Sequence, residues 1–289
     1  MVRHDGGVPG ESSYIERAPR PALAAYASSV WIQQVGDRPV AQRHVPHGGA
    51  EVRCVLGEAP RLLGPLTTAT YREIPAGGTV VGVRLRPGVL GGLVGMPAEE
   101  LVDQDVVGTD LWPDLARLTD VLGGAVTPRV ALGQLQSFVA RSAGEPDALV
   151  DEAVRNLMPW QGGGTAALPA LLSISERQLR RRCRAAVGVG PKELHRILRF
   201  QGFLARVQAS VAEQGAAAVE LARWSAEVGY HDQAHLSREC RRLVGATPGE
   251  VLAQYGAACS CGHDHAASYV PMLGGRDGRF GQERRPIPA

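Results

Sequence analysis

Hydrophobic and polar positions alternate with a period of two along parts of the first half of the chain. From residue 35 to 87 the apolar segments are short and separated by Gly and Pro. Two of them, Ala50–Gly57 and Thr79–Pro87, also contain β-branched residues, a pattern typical of strands. The alternating sets of the second segment are Val81, Val83 and Leu85 against Gly82, Arg84 and Arg86. One face is therefore packed and the other polar, which predicts a β-rich domain, either a small barrel or a curled sheet. Ala22–Gln33 fits a short helix or a strand equally well.

The apolar pattern becomes helical after residue 148. Arg141–Ala148 is rich in small, turn-forming and acidic residues, as expected of a linker. The chain beyond it contains apolar positions at helical spacing and short connections, which predicts a compact all-α domain. The predicted fold class is therefore multidomain α+β, with a barrel-like N-terminal domain that includes short helices. The predicted boundaries are 1–145, 146–255 and an irregular tail at 256–289.

A repeat of 57 residues lies within the helical part. With that shift Leu179–Leu194 aligns with Leu236–Val251, and eight of sixteen positions are identical. The aligned end signals are the N-cap residues Ser175 and Asp232, the glycines Gly188 and Gly245, and the prolines Pro191 and Pro248. Each copy follows a short apolar helix and a tight turn. The repeat predicts two helix-turn-helix motifs, with second helices at about 175–187 and 232–244, joined by a linker helix at 192–208.

The pentapeptide HDQAH at 231–235 has the spacing of a zinc-hydrolase helix, in which both histidines bind the metal. The repeat argues against this function because Asp232, as the N-cap, leaves His231 outside the helix. The buried stripe is expected to hold Leu236, Cys240 and Leu243. His235 then faces outward, as an exposed surface residue or a DNA-facing one. We predict that the protein is not an enzyme, with a zinc-dependent enzyme as the rival of another class.

The charge of the chain is divided unevenly. The net charge is +2, but residues 1–160 contain 14 arginines and 18 acidic residues, whereas 161–289 contain 17 basic and 11 acidic residues. The resulting −4 and +6 favour a polyanionic partner for the C-terminal part. Five cysteines without paired spacing indicate a reducing compartment. The sequence shows neither a secretory signal nor an apolar run of the ~18 residues that span a membrane. We therefore expect a cytoplasmic protein with no membrane partner.

From about Pro146 to Tyr255 the chain resembles the paired helix-turn-helix domain of the AraC/XylS family of bacterial transcription regulators. The likeness lies in LPALLSISERQLRRRCRAAVGVGP and ELARWSAEVGYHDQAHLSRECRRLVGATP. Its anchors in the second copy are Gly229, Tyr230, Asp232, Leu236, Arg238, Gly245 and Pro248. The resemblance implies a sequence-specific regulator, activator or repressor, that binds double-stranded DNA and requires no cofactor. Expected further partners are a second copy of the chain and, for an activator, RNA polymerase.

The resemblance also implies which side chains reach DNA. Base-facing residues are expected at Arg177, Gln178, Arg180 and Arg181 in the first copy, and at Gln233, His235, Ser237 and Arg238 in the second. Phosphate contacts are expected at Arg184, Arg241 and Arg242. Arginine reads guanine and glutamine reads adenine through paired hydrogen bonds. The second set is less basic and its readout is expected to be weaker. The alternative for the arginines is a merely solvated helix face, which their place in a duplicated helix-turn-helix disfavours.

The N-terminal part resembles an uncharacterised sensor type of such regulators. The similar segments are VPHGGAEVRCVL, GVRLRPG and GMPAEELVDQDV. The resemblance implies an effector-binding or dimerisation domain at 1–145. A pocket for an anionic or polar small-molecule effector is expected at His44, His47, Arg53, Arg84 and Arg86. The alternative is that these residues are ordinary polar groups on a half-buried sheet.

Four soft or borderline metal ligands alternate in the tail. They are Cys259, Cys261, His263 and His265. Such a set can chelate zinc or copper, although the spacing is tighter than in typical structural zinc sites. The tail therefore either binds no metal or makes the protein a metal- or thiol-responsive regulator.

Overall fold

The computed structural model describes residues 12–112, 114–125, 127–161, 164–214 and 221–258, together with Met272. The tail cluster of Cys259, Cys261, His263 and His265 lies outside the described residues. Within the described ranges, no helix is both long and apolar enough to cross a membrane.

Eight strands form two antiparallel sheets in the N-terminal domain. They are β1 Ser13–Arg17, β2 Ala27–Gln34, β3 Val40–His44, β4 Glu51–Val55, β5 Arg61–Leu63, β6 Thr70–Ile74, β7 Thr79–Leu85 and β8 Asp105–Val107. The larger sheet has the order β1-β2-β7-β4-β5-β8, and β3 pairs with β6 alone. The β-rich domain and the two predicted strands are confirmed, and Ala27–Gln34 is a strand. No pairing among the described strands closes the two sheets into a barrel.

Four helices complete this domain, and they are α1 Leu90–Val94, α2 Gly108–Leu111, α3 Asp114–Gly123 and α4 Pro128–Ser142. The apolar face predicted on β7 is buried, because Val81, Val83 and Leu85 lie in a core shared with α1 and α4. Hydrophobic side chains from the sheet and from α4 thus fill one layer between them.

Seven further helices are described beyond Arg141–Ala148. They are α5 Ala148–Asn156, α6 Leu168–Leu171, α7 Glu176–Val187, α8 Pro191–Gln214, α9 Leu221–Glu227, α10 Gln233–Val244 and α11 Pro248–Ala258. Helix α8 is the linker helix and contributes to two cores. Its residues Leu194 and Leu198 pack with α5 and α7, whereas Phe200 and Phe203 pack with α9 and α10. The all-α C-terminal domain with two helix-turn-helix motifs is confirmed.

Candidate nucleic-acid interface

The first helix-turn-helix motif consists of α6, a turn at 172–175 and α7. Helix α7 begins with a capping box, in which the Gln178 amide N–H donates to the Ser175 hydroxyl (3.2 Å) and the Ser175 amide N–H donates to the Gln178 side-chain oxygen (2.9 Å). A paired contact with adenine needs both side-chain groups of Gln178. Base reading by Gln178 therefore requires the capping box to open. The sequence signature Ser-x-x-Gln already encodes this box.

Helix α7 has an apolar face and a cationic face. Leu179 and Cys183 are buried, as the repeat predicts, whereas Ala186, the counterpart of Leu243, is half-buried and Val187 is buried in its place. All five arginines of α7 are exposed, and the cationic face consists of Arg177, Arg180, Arg181 and Arg184. None of these four forms an ion pair with another residue in the described part of the chain. Arg182 differs, because its guanidinium donates to Asp147 (2.6 Å) and is drawn towards α5. The four guanidinium groups thus remain available to an anionic partner.

The second motif consists of α9, a turn and α10. Asp232 caps α10, since its carboxylate accepts a hydrogen bond from the His235 amide (2.6 Å). His231 precedes the helix, and its side chain is 90% exposed. In contrast, His235 is half-buried, with its ring edge-on to Tyr230 at 5.2 Å. Among the described residues no group of three His, Cys, Asp or Glu side chains is arranged to hold a metal ion.

The remaining side chains of α10 form a weaker cationic face than those of α7. Helix α10 carries three arginines and one glutamate, whereas α7 carries five and one. Gln233, Arg238 and Arg241 are exposed, and Ser237 is half-buried. Arg242 lies 3.4 Å from the carboxylate of Glu193. A weaker readout of DNA by α10 therefore stays a prediction.

The N-terminal domain contacts the C-terminal ends of both α7 and α10. At α7 the contact is Gly188, where a Cβ atom would lie 2.9 Å from the side chain of Val102. At α10 the Ala69 amide donates to the Leu243 carbonyl (2.7 Å), and Arg43 donates to the Val244 carbonyl. The N-terminal turns of α7 and α10, which carry the predicted base-facing residues, lie at the opposite ends. Sequence reasoning did not find these contacts, because each joins distant parts of the chain.

Four of the five predicted effector residues meet around Glu51. Its carboxylate accepts from Arg84 (2.9 Å) and lies 3.1 Å from the His44 ring, and His47 is 3.9 Å away. Arg53 donates to Asp105 (2.7 Å), and Arg84 also donates to Glu16 (2.8 Å). We call Glu16, His44, His47, Glu51, Arg53, Arg84 and Asp105 the Glu51 cluster. Carboxylates of the cluster thus already pair with both of its arginines. Arg86 lies apart and donates to the Ala27 carbonyl (3.3 Å).

Sequence reasoning missed the three carboxylates of the Glu51 cluster. The available signal was the alternation of Glu51 and Arg53 on β4, with Glu51 in register with Arg84 on β7. Burial alone would raise the pKa of the Glu51 carboxyl, but Arg84 and His44 hold it well below its usual range. The cluster is thus a set of mutually neutralised charges, in which Glu16, Glu51 and Arg53 are buried and Asp105 reaches the surface.

Acid pH is expected to destabilise the fold through His47. Burial, assisted by Arg84, lowers the pKa of His47 to about 4. The unfolded chain, with a histidine pKa near ~6.5, therefore binds the proton more tightly, and the stability falls as the pH drops below that value. We expect His47→Gln to remove about 2 kcal/mol of the stability difference between pH 7 and pH 5, measured by urea unfolding. His231→Gln, at an exposed site, is the control. An unchanged pH dependence in His47→Gln would contradict this origin.

Comparisons with known proteins fit both halves of this architecture. Residues 168–254 match a family model described as a helix-turn-helix domain, and residues 15–107 match a domain of unknown function, DUF6597. No curated protein is significantly similar to the chain. The fold resembles two crystal structures of ToxT from Vibrio cholerae. A variant in its apo form is 10% identical, with a TM-score of 0.44, and the match covers 82% of this chain and 99% of ToxT. The second is 9% identical, with a TM-score of 0.42 and coverages of 83% and 98%.

The duplicated motif and its matching family model define a tandem helix-turn-helix protein of the DNA-binding class. More particularly, the chain carries an AraC-type helix-turn-helix domain behind an N-terminal DUF6597 domain. Such a domain implies binding to double-stranded DNA, and the family is one of transcription regulators.

Proposed function

We propose that this protein is a sequence-specific transcription regulator that inserts α7 and α10 into two successive segments of the major groove. The main support is the duplicated geometry of these helices. Each has twelve residues, a side-chain N-cap, a buried Leu and Cys stripe and a left-handed terminal glycine. Each also presents arginines to solvent at the positions where recognition helices contact DNA.

Within this proposal the two helices have unequal roles. Arg177, Arg180 and Arg181 read bases from α7, and Arg184 binds phosphate. Helix α10 contributes Gln233, Ser237 and Arg238 to base contacts, and Arg241 to phosphate. His235 reaches a base only if its ring leaves Tyr230, and Arg242 reaches phosphate only by giving up Glu193. The ion pair of Arg196 with Glu239 (2.9 Å) holds α10 against the linker helix, and Arg196 also pairs with Glu193 (2.8 Å) within the linker helix itself.

The N-terminal domain controls this interface in the proposal, through an effector or through pairing of two copies. Its contacts with the ends of α7 and α10 support that role, because a shift of the domain would move both helices together. Helix α8 is held as well, since the Gln201 side-chain amide donates to the Pro46 carbonyl (2.6 Å), one residue from His47 in the Glu51 cluster. Recruitment of RNA polymerase belongs to the proposal if the regulator is an activator.

Selection of duplexes from a randomised pool, followed by gel shift of the selected duplex, tests the proposed function. Binding that is specific and decreases steeply with salt is expected, because arginines displace counterions from phosphates. Failure to enrich any sequence, with equal affinity for all duplexes, would contradict sequence-specific regulation.

A metal- or thiol-responsive regulator is the alternative that the tail supports. The four alternating ligands from Cys259 to His265 are its sole basis. Zinc titration of the full chain and of a Cys259→Ser/Cys261→Ser variant tests it. A real site predicts that only the natural sequence takes up zinc tightly and changes its DNA affinity on doing so. Equal uptake by the two proteins would eliminate the tail as a sensor.

A further inference from the structure

Two clefts lie side by side along α4, and their lining residues do not belong to the Glu51 cluster. The larger has a volume of about 1010 Å³ and the smaller about 340 Å³. Arg20 and Arg129 belong to the walls of both. A volume of this size is typical of sites that enclose small organic molecules.

The lining of the larger cleft combines apolar and cationic side chains. Leu93, Trp112 and Phe138 are among the apolar ones, and the two aromatic rings lie edge-on at 6.0 Å. The arginines of the two clefts are Arg17, Arg20, Arg129 and Arg141. The described residues that line either cleft include no Asp or Glu. Arg20 and Arg141 form no ion pair with another described residue, unlike the arginines of the Glu51 cluster.

The fold holds Arg20 in this position. The Arg20 amide donates to the side-chain oxygen of Gln136 (3.1 Å) on α4. Its guanidinium passes so close to Gly133 that a Cβ atom there would lie 2.9 Å from a guanidinium nitrogen. In addition, the side-chain oxygen of Gln134, which lines the larger cleft, is buried without a hydrogen-bond partner among the described residues. Buried polar atoms usually have a partner, so this oxygen is available to a bound donor group.

We propose that the larger cleft binds an amphipathic organic anion. Its apolar body lies against Leu93, Trp112 and Phe138, and its acidic head group accepts hydrogen bonds from Arg20 and Arg141. Arginine is suited to this role because its planar fork matches a carboxylate or a phosphate. This proposal deepens the regulatory function and rests on it for the role of the ligand, although binding itself does not depend on DNA.

A contact route connects this cleft to the first recognition helix. The Trp112 indole N–H donates to the Leu93 carbonyl (3.0 Å) on α1. On the same short helix, Gly91 packs so tightly on α7 that a Cβ atom would lie 2.6 Å from the Ala185 carbonyl oxygen. A ligand that moves Trp112 or Leu93 would therefore displace α1 against α7.

Calorimetric titration of the full chain with 4-phenylbutanoate and 4-phenylbutylamine tests this site, since these probes share an apolar body and differ in charge. We expect the anion to bind at least about tenfold more tightly than the amine. The double variant Arg20→Gln/Arg141→Gln should lose about tenfold in affinity for the anion. Val130→Glu, which adds a carboxylate at an exposed position of the cleft wall, should lower it too. Arg38→Gln, at an exposed arginine outside both clefts, is the matched control.

Equal binding of the two probes, or undiminished anion affinity in both cleft variants, would overturn the proposal. The outcome is independent of the gel-shift result. A protein that binds the anion but selects no duplex contradicts the regulatory function alone, whereas one that selects a duplex but binds neither probe contradicts the ligand site alone.

Discussion

Gly188→Ala will lower the free energy of unfolding by roughly 2–5 kcal/mol, while Gly245→Ala will lower it by only about 1–2 kcal/mol. Gly188 ends α7 and Gly245 ends α10 in the left-handed region, at φ +93° and +67°, where any side chain is strained. Only Gly188 is also crowded. A Cβ atom there would lie 2.9 Å from Val102, 3.0 Å from Pro65 and 3.1 Å from the Ala98 carbonyl oxygen, whereas nothing lies within 4 Å at Gly245.

The two variants form a matched pair because the 57-residue repeat gives their glycines the same local role. The difference between their losses, measured by urea unfolding of the full chain, reports how tightly the N-terminal domain packs on α7. Equal losses would show that this packing contributes nothing to stability in solution.

Arg181→Ala is expected to weaken binding to the selected duplex by roughly 5- to 150-fold, equivalent to about 1–3 kcal/mol. Arg181 is exposed, lies one helical turn after Arg177 on the same face of α7, and forms no ion pair with another described residue. A base contact would be lost from the selected duplex and not from random DNA, so the variant should also discriminate less between them.

Arg182→Ala is the control for this loss, since Arg182 is engaged by Asp147 and lies off the cationic face. It removes the same charge and should leave discrimination nearly intact. Arg238→Ala, the equivalent change in the second copy, is expected to have a smaller effect than Arg181→Ala. If Arg181→Ala weakens binding to selected and random duplexes equally, Arg181 contacts phosphate and does not read a base.

Helices α7 and α10 could be found in the sequence because the signals that begin and end them are local. Ser175 and Asp232 cap the helices, and Gly188 and Gly245 end them, as the repeat predicts. Each of these residues acts on backbone groups only a few positions away along the chain. The argument against a metal site at HDQAH is also local. The Asp232 carboxylate accepts a hydrogen bond from a backbone amide of α10, and His231 lies in solvent before that helix.

The Glu51 cluster was only partly predictable. The alternation on β7 placed Arg84 opposite the apolar face, and the predicted effector pocket also contained His44, His47 and Arg53. The carboxylate of Glu16 was missed because β1 reaches Arg84 only through the order of strands in the sheet. The pocket for an anionic or polar effector was predicted from the histidines and arginines alone. The net charge of such a site also depends on the carboxylates that other strands bring to it.

The sequence by itself determined the division into a β-rich N-terminal part and a helical C-terminal part, the duplicated helix-turn-helix and the ends of α7 and α10. These properties follow from hydrophobic period and from hydrogen bonds between near neighbours. Only the tertiary structure decided which charges neutralise each other, that the N-terminal domain contacts the ends of both α7 and α10, and that Arg20 and Arg141 border one cleft. These side chains are far apart in the chain, so only packing of the folded elements brings them together.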